Sequence, residues 1–299
     1  MRPLILLALL SVLSAAEPLR VVCGNGVVLD LVRQVGGSRV AAESLIDPSQ
    51  GPHGYQPRPE DARRLSVAQV AVINGLGFEG WFEGLVQDVG FAGTTVVAAA
   101  GVTPLPMPGD HHAGHDHDHD HDHGIMDPHA YGDLANGVKY VEAIRAGLTA
   151  ADPAGAEDFR AWAEACAGRL RALDQWTRRE LARIPAARRV IVTDHDGLRY
   201  FAAAYGFTVH AANNALEASE PSAAGLAELV GLVRSTGVPA IFIEHGRSDR
   251  LVQTLAAETG AAVAPALWVD SVPPLDGAQG GYAGMFLHNV RVLTTSLAP

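Results

Sequence analysis

Short continuous apolar runs alternate with helically spaced ones along most of this chain. Leu19 to Cys23 and Val40 to Ile46 read as strands, with Val27 to Val35 between them carrying its apolar residues at helical spacing. A Pro/Gly-rich loop follows from Asp47 to Pro59. A polar helix around Glu60 to Leu65 then leads to a buried strand, Val70 to Ile73, which Asn74-Gly75 ends. Amphipathic Trp81 to Val89 and a strand at Thr94 to Ala99 complete the first set. Asp127-Pro128 predicts a helix start, with Asp as the cap and Pro in the first turn.

From Ala156 to Ile184, Phe159, Trp162, Cys166, Leu170, Leu173, Trp176 and Leu181 keep a three-or-four spacing that only Pro185 stops. That predicts one helix of about 42 Å at 1.5 Å per residue. A second alternating set follows, with strands at Val190 to Thr193, Thr208 to His210, Ala240 to Ile243 and Ala261 to Val269. Its helices are Leu198 to Ala204, Ser222 to Ser235, Leu251 to Thr259 and Tyr282 to Leu297. Strands alternating with helices imply parallel βαβ units. The expected architecture is therefore α/β: two lobes with parallel sheets, residues 17–150 and 187–299, bridged by one long rigid helix within 151–186.

Two stretches break the rhythm. At the start, Arg2, the apolar run Leu4 to Leu10 and the small residues Ser14-Ala15-Ala16 form a secretory signal pattern, with cleavage expected after Ala16. The run is shorter than the roughly 20 residues a membrane span needs, and Cys23 stands too far downstream for a lipid anchor. The mature protein is accordingly expected in the periplasm. The second stretch is 103–124, where Pro104, Pro106 and Pro108 lead into an Asp/His tract whose lone apolar residue is Ala113. Such a sequence has nothing to bury and predicts a disordered surface loop.

Composition narrows the function. At 299 residues with 48% hydrophobic side chains, the chain can build a sizeable core. Its net charge of -11 argues against nucleic acid, whose phosphates demand Lys and Arg. The two cysteines, Cys23 and Cys166, fall in a buried strand and the long helix, and are expected as separate buried thiols. Phosphate loop, nucleophile elbow and HExxH helix patterns do not occur. The marked feature is histidine: 13 in all, seven of them between His111 and His123.

In open α/β sheets, ligands bind beyond the carboxyl ends of the strands, and metal-competent side chains recur there. His53 lies in the loop after the second strand, His129 in Asp127-Pro128-His129, and His195 in Thr193-Asp194-His195-Asp196. Asp270 ends Leu267-Trp268-Val269-Asp270. Three imidazoles with one carboxylate suit Zn²⁺. Spacing alone does not assemble residues scattered from 53 to 270, and any one of them reads equally well as a cap or a surface group.

Several segments occur in order: Pro52-His53-Gly54-Tyr55-Gln56-Pro57, Asn74-Gly75-Leu76-Gly77-Phe78-Glu79, Asp127-Pro128-His129, Tyr200-Phe201 with Tyr205-Gly206, Leu267-Trp268-Val269-Asp270-Ser271, and Gly281-Tyr282 through His288-Asn289-Val290. Together they resemble the signature segments of the metal-binding receptors of zinc and manganese ABC importers, the cluster A-I solute-binding proteins, over nearly the whole chain after residue 16. The resemblance implies two α/β lobes bridged by a long helix, a metal site in the cleft between them, and no enzymatic activity. It implies as ligands His53, His129, His195 and Asp270. In that family zinc receptors carry His at the third position and manganese receptors carry Glu, so His195 implies zinc. The implied partner is an inner-membrane ABC permease, with a periplasmic zinc chaperone as a further one and the receptor itself a monomer.

His111, His112, His115, His117, His119, His121 and His123 form an auxiliary metal loop on this reading. Near-neutral imidazoles can capture several Zn²⁺ ions, each more weakly than a preorganised cleft because a flexible chain must be ordered. Glu244-His245 is expected as a pair behind the ligands or as a fifth donor, Asp127 as a cap, Glu79 and Trp81 as structural, and His210 and His288 as core or surface groups. Two alternatives stand beside the receptor: a zinc store or chaperone working through the loop alone, and a zinc hydrolase with an open water position. Asp270 separates the last from the receptor, since a fourth protein ligand closes a four-coordinate site.

Overall fold

The computed structural model describes residues 17–107, 126–213 and 223–299. The His-rich tract from His111 to His123 and the signal segment lie outside the described residues, and so do the expectations attached to them.

The first lobe is built on a parallel four-stranded sheet in the order β2-β1-β3-β4. Its strands are β1 (Leu19–Cys23), β2 (Val40–Ser44), β3 (Val70–Ile73) and β4 (Thr94–Val97). Helices α1 (Gly26–Gly36), α2 (Pro59–Val67) and α3 (Phe82–Val89) connect them, and α4 (Leu134–Ala151) packs back on β4. The strand β4 is shorter than its apolar run suggests, because Ala98–Gly101 turns into a 3-10 helix. The chain then crosses on α5 (Ala156–Leu181), 26 residues or about 39 Å, which packs against α1, α4 and the last helix.

The second lobe pairs β5 (Val190–His195) with β6 (Thr208–Asn213), and β7 (Ala240–Glu244) with β8 (Ala262–Leu267), each pair parallel. Between these strands run α6 (Arg199–Tyr205), α7 (Ala223–Thr236) and α8 (Arg250–Thr259), and α9 (Gly281–Leu297) closes the chain. The fold is thus the expected pair of α/β lobes joined by one helix.

The lobes share a seam. One continuous apolar cluster runs from Val21 and Val72 of the first lobe through α5 to Ile191, Leu267 and Phe286 of the second. Helix α9 is anchored on the first lobe: Tyr282 N donates to Asp30 Oδ2 of α1 at 2.8 Å, and its hydroxyl donates to the Tyr131 carbonyl at 2.5 Å. Cys23 and Cys166 are both buried and unbridged.

One expected element is corrected. Helix α4 begins at Leu134, with Asp133 rather than Asp127 as its cap; Asp133 Oδ1 accepts from Ala135 N at 2.9 Å. Asp127 does hold a backbone N–H two residues on, but its carboxylate also takes the ring of His129, and the chain there makes only a 3-10 turn, Ala130–Gly132. Cap-like chemistry serves a side chain instead of a helix.

Candidate metal centre

The carboxyl ends of the strands in both lobes face one another, and the loops leaving them carry the site. Beyond β2, Tyr55 N donates to Pro52 O at 3.1 Å and the Tyr55 hydroxyl to Asp61 Oδ2 at 2.7 Å. These bonds close the turn through His53, where Gly54 takes a left-handed φ of 71°. The same loop is tied across the cleft, since Val272 N donates to Pro48 O at 3.1 Å.

His129 is held from beneath by the Asn74-to-Glu79 segment. Buried Glu79 accepts from Asn25 Nδ2 at 2.6 Å, Asn74 N at 3.0 Å and Gly75 N at 3.3 Å, fastening the ends of β1 and β3 together. Burial pushes its carboxyl up to about 7 against those hydrogen bonds. Asn74 in turn donates to Pro128 O at 2.9 Å and accepts from the Tyr140 hydroxyl at 2.7 Å. Phe78 packs edge-on to both His53 and His129, with ring centres 5.0 and 5.4 Å away.

In the second lobe, His195 is the last residue of β5, and Asp270 follows β8. Asn289 of α9 fixes the latter loop: its Oδ1 accepts from Trp268 N at 2.9 Å and its Nδ2 donates to Trp268 O at 2.6 Å. Gly197 clears room for the imidazole. A Cβ there would lie 2.7 Å from His195 Nε2 and 2.6 Å from Val269 Cγ1.

These loops bring His53, His129, His195 and Asp270 into one cluster, with ligand atoms all within 4.8 Å of one another. His129 Nε2 stands 3.3 Å from His53 Nε2 and 3.4 Å from His195 Nε2. Asp270 Oδ1 is 3.0 Å from His129 Nε2 and 3.5 Å from His195 Nε2. The edges of a tetrahedron around zinc, with metal–nitrogen bonds of about 2.0–2.1 Å, are about 3.3–3.4 Å long. His129 and His195 are fully buried and Asp270 is 8% exposed.

Second carboxylates orient two of the rings. His129 Nδ1–H donates to Asp127 Oδ1 at 2.8 Å, and His195 Nδ1–H donates to Glu244 Oε2 at 2.6 Å, while Glu244 Oε1 accepts from the Thr193 hydroxyl at 2.5 Å. A proton fixed on Nδ1 leaves the Nε2 lone pair for a metal. Glu244 therefore stands behind the donors, and His245 turns away to stack on Trp268 at 3.7 Å. His288 Nε2 donates to Ala266 O at 2.8 Å, with its ring edge-on to His245 at 6.0 Å. The role of Asp127 was legible only as an Asp two residues before a His; Glu244 was placed behind the ligands by its position at a strand end, though its contact with His195 spans 49 residues.

The electrostatics follow from this crowding. Burial opposes charge on His129, but hydrogen bonds to Asp127 and Asp270 outweigh it and hold the ring up to about 10. Burial likewise opposes charge on His195, and Glu244 and Asp270 raise it overall. Burial dominates at His53 and drops it to about 4. Asp270 is buried too, which would raise its carboxyl, yet His195, His129 and His53 hold it well below the usual range.

Residues 21–296 match the family described as ZnuA, zinc-uptake complex component A, periplasmic. The iron-binding protein YfeA of Yersinia pestis is 32% identical over 267 residues, covering 89% of this chain and 81% of that protein. The manganese-binding lipoprotein MntA of Halalkalibacterium halodurans is 30% identical over 284 residues, covering 94% and 89%. Among solved structures, the periplasmic zinc binding protein TroA from Treponema pallidum superimposes with a TM-score of 0.84 at 27% identity, covering 95% of this chain and all of that one.

Proposed function

Since this chain belongs to the periplasmic zinc-uptake complex component A family, the metal-binding receptors of ABC importers, we propose that the cargo of this receptor is Zn²⁺. The observation that carries the reading is the donor set. Three imidazole nitrogens and one carboxylate oxygen, spaced like the edges of a small tetrahedron, suit zinc better than manganese, which favours more oxygen donors. Relatives are named for manganese and iron as well as zinc, and the donor chemistry is what supports zinc as the cargo here.

On this reading His53, His129, His195 and Asp270 are the four ligands, and capture is followed by hand-over to a membrane permease driven by its ATPase. Cleavage after Ala16 would deliver residues 17–299 to the periplasm as a monomer. Lobes at 17–150 and 187–299 and a linker at 151–186 are the corresponding domains. Among the described residues no helix is long and apolar enough to cross a membrane. The tract His111 to His123 serves as an auxiliary loop that collects zinc or receives it from a periplasmic chaperone.

The Asp270→Ala variant tests the ligand set. Loss of tight zinc binding in chelator competition, with the fold intact by circular dichroism, supports a closed four-ligand receptor. Undiminished affinity would remove Asp270 from the set.

A further inference from the structure

The two oxygens of Asp270 have different surroundings. Oδ1 faces the two buried imidazoles, 3.0 Å from His129 Nε2 and 3.5 Å from His195 Nε2. Oδ2 lies 3.9 Å from His53 Nε2 and forms an ion pair with Arg247, Nη1 3.9 Å away, and the Gly51 backbone packs beside it so closely that a Cβ there would be 3.3 Å away. Arg247 comes from the loop after β7, with its side chain only 16% exposed. A largely buried cation beside a cation site is repulsive to cargo, and its ion pair with Asp270 sets it against one oxygen of a proposed ligand.

We propose that Arg247 is a specificity-determining residue: by engaging Oδ2 it keeps Asp270 a one-oxygen donor, which favours four-coordinate zinc over metals that need more oxygens. This deepens the zinc reading above and rests on Asp270 being a ligand. A carboxylate binds through one oxygen or two, and ions that take larger oxygen-rich shells gain from the second. Zinc in a closed four-ligand site gains nothing from it. The guanidinium, always charged and forked, is suited to occupy that oxygen. Gly51 leaves the carboxylate room to sit between the two lobes while giving it little space to swing.

The test is Arg247→Met, which keeps the volume of the stem and removes the fork. Zinc and manganese affinities are measured for wild type and variant by competition against a chelator, with circular dichroism to check folding. Removing the charge strengthens binding of both metals, so the diagnostic quantity is their ratio. It is expected to fall about tenfold, a modest share of what one nearby charge is worth in a partly buried setting. An unchanged ratio, with both affinities raised equally, would make Arg247 a simple counter-charge and overturn the proposal. A wild type without zinc preference would instead overturn the underlying reading.

Cobalt(II) supplies a second readout on the unaltered protein. Wild type is expected to show the intense visible bands of a four-coordinate ion, weakened in Arg247→Met as a fifth donor joins. Weak bands in wild type itself would overturn the proposal even if the variant does not fold.

Discussion

Zinc, the proposed cargo, must displace the protons its ligands hold, and the electrostatics of the cluster predict one to two of them. In the metal-free protein at pH 7, His53 is already neutral, because burial holds it near 4. His129 carries a proton, held up to about 10 by Asp127 and Asp270 despite its burial, and His195 is raised in the same direction by Glu244 and Asp270. Zinc binds the deprotonated rings. A ligand whose pKa is raised in the free protein therefore weakens binding at every pH below that value, and affinity climbs as pH rises toward it. Stripping a proton from a group at about 10 when the solution is at pH 7 costs about three factors of ten.

From pH 6 to pH 8 the His129 proton alone should raise apparent zinc affinity about 100-fold, and His195 steepens this further. The simple expectation from free histidine, a fall centred near 6.5, is replaced by a slope that continues above neutrality. Chelator competition across pH gives the slope, and calorimetry in buffers of different ionisation enthalpy counts the protons. One to two protons released at pH 7 is the expected result. Three would mean His53 is protonated as well, and none, or a flat profile above pH 7, would refute the electrostatics of the cluster. Asp127→Asn should flatten the slope, since His129 then loses one of the two carboxylates that hold its proton.

Four further substitutions follow from the structure. Glu244→Gln replaces the carboxylate behind His195 and should weaken zinc by about 10–100-fold; chelator competition giving wild-type affinity would strip Glu244 of its orienting role. Gly197→Ala should reduce affinity while Gly54→Ala, with open space around it but a left-handed φ, should act on loop stability instead. Binding isotherms and melting curves separate the two, and an unimpaired isotherm for Gly197→Ala would contradict the steric argument. Tyr282→Phe leaves the Tyr131 carbonyl without its partner across the lobes and should cost about 1–3 kcal/mol in denaturant unfolding; an unchanged midpoint would show the seam does not depend on it.

Much of the fold could be read from the chain because its strands are short, apolar and punctuated. Leu19–Cys23 and Val70–Ile73 end at Gly24 and at Asn74-Gly75 as the pattern requires. Helix α5 was equally visible, though it stops at Leu181 and turns before Pro185 instead of running to Ile184. The misreading at Asp127 has a physical cause: an Asp before Pro carries the same local signal whether its carboxylate caps a helix or grips an imidazole. The cluster itself became legible only through motif order over the whole chain. Of the groups that tune it, Glu244 could be placed behind the ligands from its position at a strand end, whereas Arg247 and Gly197 act through contacts made by the approach of separate loops, and nothing in their own neighbourhoods announces that.

The most direct test of the central claim is a zinc titration of metal-free protein spanning residues 17–299 but lacking Asp110 to Gly124, with manganese present as competitor. One tight site that manganese does not displace is the expected result, and it would make the cleft the cargo site with the His-rich tract as an accessory. Loss of all tight binding would move the function to the tract and contradict the assignment of His53, His129, His195 and Asp270.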